Sequence, residues 1–189
     1  MRAATLDSLR AVMLIRAYRS NGHLLAALDP LALEEPDLHP ELDPASYGFG
    51  DDDWERPIFI DNVLGLETAT LTEIIARLRQ TYCGTIGVEF MHVQDPKQKA
   101  WIQERIESIN NQTDFTLRGK SAIYERLVDA DEFGKYLHKK FPGTKRFGLD
   151  GSEAVIPALE QILKRGSQLG LREVVVGMAH RGRLTILHH

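Results

Sequence analysis

The chain has 189 residues, 43% of them hydrophobic and 26% charged, with a formal net charge of −4. That balance argues against a general nucleic-acid binder, which needs a basic face to neutralise phosphates. No apolar run approaches the roughly 20 residues that span a bilayer, and the single cysteine, Cys83, excludes an internal disulfide framework and fits a reducing compartment.

Residues 1–28 predict an amino-terminal helix. Leu6, Leu9, Met13, Ala17 and Leu24 keep a roughly helical spacing, and Asp29-Pro30 supplies a stop. The stretch "MRAATLDSLRAVMLIRAYRS" has four arginines and one acid, a balance shared with mitochondrial presequences. A domain helix with a basic polar face is the preferred reading.

Residues 29–69 predict an extended strap rich in proline and acid. Five of the eight prolines fall between 29 and 57, and proline removes backbone donors and breaks helices. Leu31, Leu33, Leu38, Leu42, Tyr47, Phe49 and Trp54 are its anchors on the domain.

A helical region is expected over 70–142. Thr70 and Glu73 have capping-box spacing, and Leu71, Ile74, Ile75 and Leu78 make one stripe. "CGTIGVEFMHV" reads as extended structure with bends. Asp95-Pro96 opens a helix to Asn110, with Trp101, Ile102, Arg105, Ile106 and Ile109 on its buried face. Two further helices are predicted at 119–128 and 130–140, the second announced by Asp129 and Glu132.

In 143–189 a turn-rich connector precedes a helix over 152–165, with Val155, Leu159, Ile162 and Leu163 inward. "EVVVGM" then reads as a strand of the continuously apolar kind found in parallel sheets covered on both faces. His180, Arg181 and Arg183 follow at its exit, where open α/β sheets bind ligands. Imidazole and guanidinium donors suit an anionic substrate, and Gly182 permits close backbone approach. A surface loop with solvated charges is the competing reading.

Other candidates are weaker. Cys83 reads as core, and His92 as a packed strand residue. Lys145, Arg146 and Asp150 either line an anionic pocket or cap the next helix, while His138, Lys139 and Lys140 read as a solvated helix end. His188-His189 lacks metal-site spacing, and no metal ligands are assigned. The sequence has no GxGxxG, P-loop or nucleophile elbow.

"ELDPASYGF", "TYCGTIGVEFMHVQDPKQKAWIQ", "KRFGLDGSEAVIPALEQILKRG" and "GMAHRGRL" together resemble the first, decarboxylating component of 2-oxoglutarate dehydrogenase, from about residue 5 to residue 184. The resemblance implies an α/β fold: a mostly helical amino-terminal region leading into the first strand of a doubly wound parallel sheet that binds thiamin diphosphate, truncated here, with 143–189 the incomplete start of that domain. It also implies oxidative decarboxylation of 2-oxoglutarate in the citric acid cycle, with transfer of the succinyl group to a lipoyl carrier. His180 takes the catalytic role and Arg181 contacts the cofactor. Implied cofactors are thiamin diphosphate and Mg²⁺. Implied partners are the dihydrolipoamide succinyltransferase core, dihydrolipoamide dehydrogenase and a second copy of the subunit; no nucleic acid or membrane is expected. The style is bacterial, hence cytoplasmic, or mitochondrial matrix for a eukaryotic form. Relatives continue after "GMAHRGRL" with Asn-Val-Leu, where this chain has Thr185, Ile186 and Leu187. The family's metal-binding segment is absent, so the 189-residue chain is expected to be inactive by itself. The rival enzymes are a 2-oxoadipate dehydrogenase component and a 2-oxoglutarate decarboxylase or carboligase. The rival of another class is a non-catalytic helical binding or assembly module.

Overall fold

The computed structural model describes residues 2–33, 36–145 and 148–189. The chain forms two compact units, Met1–Thr113 and Asp114–His189. Its regular structure is mostly helical. The one sheet among the described residues is a two-stranded antiparallel pair. Among the described residues, no helix is long and apolar enough to cross a membrane.

The first unit is organised by helix α1, Arg2–Asn21. Ala11, Leu14, Ile15 and Tyr18 are buried, in the i, i+3, i+4, i+7 order of one helix face. The expected stripe is out of phase: Leu6, Leu9, Met13 and Leu24 are exposed, and of the five residues named only Ala17 is buried. Asp7 explains the error. It is buried one turn before Ala11 and accepts a 2.7 Å ion pair from Arg56, so a carboxylate interrupts the apolar pattern exactly where the true face begins.

The strap does reach the core, at fewer points than expected. Leu42 and Phe49 are buried and Tyr47 is partly so, whereas Leu31, Leu33 and Leu38 are largely exposed and Trp54 is 37% exposed. Short 3₁₀ turns at Pro40–Leu42, Pro44–Tyr47 and Asp51–Asp53 break it up. In the first two, proline follows a side-chain cap from His39 or Asp43. Strand β1, Ile58–Phe59, then pairs with β2, Thr68–Ala69.

Helix α2, Leu71–Tyr82, begins as predicted. Thr70 Oγ1 accepts from the Glu73 amide and the Glu73 carboxylate accepts from the Thr70 amide. Leu71, Ile74, Ile75 and Leu78 are buried. The 84–93 stretch is bent and without strand pairing. His92 is exposed rather than packed.

Helix α3, Pro96–Glu107, is capped by Asp95, which accepts from the amides of Lys97 and Gln98. Ile102 and Ile106 pack against the core, but Trp101 and Ile109 are exposed. The helix turns a second polar residue inward instead. Glu107 accepts from Arg19 Nε at 2.7 Å, from a terminal Arg19 nitrogen at 3.0 Å and from the Tyr82 hydroxyl at 2.6 Å. This buried triad ties α1, α2 and α3 together. Burial opposes the charge on Arg19, but the Glu107 hydrogen bond and charge outweigh it and raise the guanidinium pKa. Burial first, then the carboxylate beside it, push the Tyr82 phenol well above its ordinary value.

The second unit begins with α4, Leu117–Lys140, one continuous helix where two were expected. Asp129 and Glu132 do not cap a new helix. Asp129 pairs with Arg126 at 3.3 Å and Glu132 with Lys135 at 2.9 Å, as i,i+3 contacts along the surface. Arg126 also reaches Glu160 on α5, Val155–Gln168, at 2.9 Å.

The core of this unit is small: Ala130, Leu149 and Ile156, with Val155 and Ile186 packed around them. Ile162 and Leu163, expected inward, are 57% and 44% exposed. The expected strand over 173–178 is not formed; the segment has no ladder partners, and Val175 is 94% exposed. A parallel strand needs neighbours to accept and donate its backbone hydrogen bonds, and no described segment of this unit offers one. The doubly wound sheet is therefore not present among the described residues.

Candidate functional site

The expected cluster lies on a tight turn between that unpaired segment and α6, Arg183–His188. Gly182 makes the turn possible. It has φ +71°, a left-handed value that favours glycine, and it is buried against Leu149, whose side chain a Cβ would overlap. The Gly182 carbonyl accepts from the Ile186 amide at 2.9 Å, starting the helix, and Thr185 is buried beneath.

The turn sends its cations in different directions. His180 and Arg181 are exposed side chains. Arg183 is turned back by a hydrogen bond to the Ala179 carbonyl. It lines a cleft of about 860 Å³ together with Val176, Met178, Glu160 and His188. His180 and Arg181 line neither this cleft nor the one of about 490 Å³ on the other side of α6. The three residues are thus neighbours in sequence that do not converge on one cavity. Arg183 lines the larger cleft and His180 and Arg181 do not, although all three residues are exposed.

Asp150 does line the smaller cleft, alongside Asp131, Glu153, Lys135 and His138. The mixture of signs is not that of an anion pocket, and Lys145 is not in its wall. Asp150 does not cap α5 either, since that helix starts after Ala154 without a side-chain cap. Arg146 lies outside the described residues. His138, Lys139 and Lys140 stand exposed at the end of α4, as expected. His188 stacks on Phe133, with ring centroids 4.0 Å apart.

Cys83 packs against the core of the first unit. Its thiol is pushed up to about 11 by burial, only partly offset by Arg79. That is the behaviour of an inert structural thiol. Among the described residues, no group of three or more His, Cys, Asp or Glu side chains stands close enough to hold a metal ion.

Over 185 residues, 97% of its length, the chain is 60% identical to proteins named 2-oxoglutarate dehydrogenase E1 component from Brucella canis, Brucella suis and Brucella abortus. The chain matches the amino-terminal part of that component. It spans 18% of the length of these curated relatives. No family model matches it. At this identity, over nearly every residue of the chain, both units and the turn bearing His180 fall within the matched stretch. The sequence signals missed the buried triad of Arg19, Tyr82 and Glu107. The available clue was a glutamate one position after Ile106, on the inward side of an amphipathic helix.

Proposed function

We propose that this chain is part of the first component of a 2-oxoglutarate dehydrogenase, the subunit that decarboxylates 2-oxoglutarate and passes the succinyl group to a lipoyl carrier. The observation that carries the reading is 60% identity across 97% of the chain to proteins of that name. The surface of the second unit supports it. Val174, Val175, Val176, Leu184 and Leu187 are all substantially exposed, which is costly in an isolated unit and natural in a piece that a larger sheet covers.

In this reading His180 and Arg181 are exposed because what they serve is outside the chain. His180 hydrogen-bonds the substrate and holds it for decarboxylation. Arg181 offers a fixed fork of donors to a phosphate. Thiamin diphosphate, when bound, supplies the electron sink for loss of carbon dioxide. The described residues do not amount to a site for it: Arg181 lines no described cavity, and no cation site stands nearby. The proposal therefore assigns the Mg²⁺ and pyrophosphate contacts to other segments of the parent enzyme, along with docking to the succinyltransferase core and dihydrolipoamide dehydrogenase and the pairing of two subunits. By itself the chain is inactive. The parent works in the bacterial cytoplasm or, in a eukaryote, the mitochondrial matrix.

The test is a replacement. This chain is exchanged for the corresponding stretch of the Brucella canis component, and carbon dioxide release is followed with 2-oxoglutarate and with 2-oxoadipate. Activity with 2-oxoglutarate at a level close to the parent supports the proposal. A folded, soluble chimera without activity contradicts it. Release from 2-oxoadipate alone would move the assignment to the longer substrate.

A further inference from the structure

The first unit holds a cavity of its own, of about 430 Å³, unrelated to the His180 turn. Its wall is built from α1, the turn over 61–65, α2 and α3. Two guanidinium groups enter that wall in different circumstances. Arg19 is committed to Glu107 through two hydrogen bonds. Arg77 makes no ion pair and no side-chain hydrogen bond among the described residues, and its Nε is shut off from solvent without an acceptor. A half-buried cation with an orphaned N–H is a cost that native structures rarely carry without a partner.

The facing turn is strained as well. Asp61, Asn62 and Leu64 have φ of +51°, +60° and +60°, and Leu64 is buried in that conformation. Side chains rarely adopt this region, and such strain collects at ligand clamps. The rest of the wall is mixed. Gln103 is a neutral donor and acceptor, and Asp61 and Glu104 are exposed carboxylates.

We propose that this cavity binds a small carboxylate that also bears an ammonium or a hydroxyl group, with Arg77 as the carboxylate anchor. With Nε enclosed, the two terminal guanidinium nitrogens of Arg77 are the donors left to meet a carboxylate from the cavity. Asp61 and Glu104 repel a bare polyanion such as a phosphate, and they accept hydrogen bonds from an ammonium or hydroxyl on the same ligand. The volume falls in the range of small-molecule sites, about 300–1,000 Å³.

The experiment uses the ¹⁵N-labelled 189-residue chain and follows the Arg77 Nε–Hε resonance, assigned by its loss in Arg77→Lys. L-alanine, L-lactate and propionate share a carbon frame and differ in carrying ammonium, hydroxyl or hydrogen. The resonance shifts saturably with alanine or lactate, roughly fivefold more tightly than with propionate, as one added hydrogen bond requires. Gln103→Glu, which adds a repelling charge with little change of shape, weakens that binding by a similar factor while leaving the amide spectrum in place. Tighter binding of alanine identifies an amino acid as the ligand class, and tighter binding of lactate a hydroxy acid. The proposal is overturned by the absence of a saturable shift with all three, by propionate binding as tightly as the others, or by binding indifferent to Gln103→Glu.

Discussion

Gly182 sits against Leu149, in a left-handed conformation and with no room for a Cβ. The contact joins the "KRFGLDG" connector to the turn of "HRGRL", two segments separated by the whole of α5. It therefore fixes where the His180 turn leaves the second unit. Gly182→Ala carries both the conformational and the steric penalty, about 1–2 kcal/mol in sum. Urea unfolding monitored on the second unit should show a lower midpoint, with the first unit unchanged.

The triad of Arg19, Tyr82 and Glu107 makes a second prediction. Glu107 and Arg19 side chains are 11% and 15% exposed, so removing one partner strands the other. Glu107→Ala should destabilise the first unit by about 3 kcal/mol, and Tyr82→Phe by about 1 kcal/mol, the net value of one hydrogen bond. A double-mutant cycle on the pair should give a coupling above about 0.5 kcal/mol. Additive losses would mean that the hydroxyl does not work through the carboxylate.

Much of the first unit was legible because its signals are local. The Thr70–Glu73 box and the Asp95-Pro96 cap act within one helical turn, so three or four residues specify them. Asp7 and Glu107 defeated the pattern for the opposite reason. Each is a buried carboxylate satisfied by an arginine far along the chain, Arg56 and Arg19, and an apolar stripe cannot announce such a partner. Asp129 and Glu132 misled because capping-box spacing is also salt-bridge spacing. The 173–178 segment has the composition of a buried strand, yet strand formation depends on neighbours that composition does not supply. His180, Arg181 and Arg183 were expected at a strand exit and stand instead on the turn at Gly182, after a segment without strand pairing. The separation of Arg183 from His180 and Arg181 depends on the hydrogen bond to Ala179 and was not visible.

Cys83 should report on pH. Its folded-state pKa of about 11 lies above the ordinary 9.0, so the unfolded chain releases its proton first. The stabilisation is complete below about pH 9 and is lost as pH rises toward 11. At pH 8 the thiolate fraction is about a hundredfold below that of an ordinary cysteine. Alkylation by iodoacetamide should be correspondingly slow in the native chain and should recover on unfolding. Rapid alkylation without unfolding would contradict the burial.

Val175 separates the isolated chain from the parent enzyme. At 94% exposure, Val175→Lys should leave the stability of the 189-residue chain within about 0.5 kcal/mol, as for surface substitutions generally, and raise its solubility. On the proposed reading, the same change in the Brucella chimera places a charge in the interior of a covered sheet, and soluble protein should be lost. Equal tolerance in both settings would contradict the proposed strand.

The most direct measurement is kcat/KM for 2-oxoglutarate in that chimera, with and without His180→Ala. The account predicts that the chimera is active and that the substitution lowers kcat/KM by roughly a hundredfold or more, the scale of a hydrogen-bonding or proton-transfer group at the reacting centre, with the fold intact by circular dichroism. Activity within about twofold of the unsubstituted chimera, well under one hydrogen bond in free energy, would remove His180 from the site and with it the proposed role of this chain in the reaction.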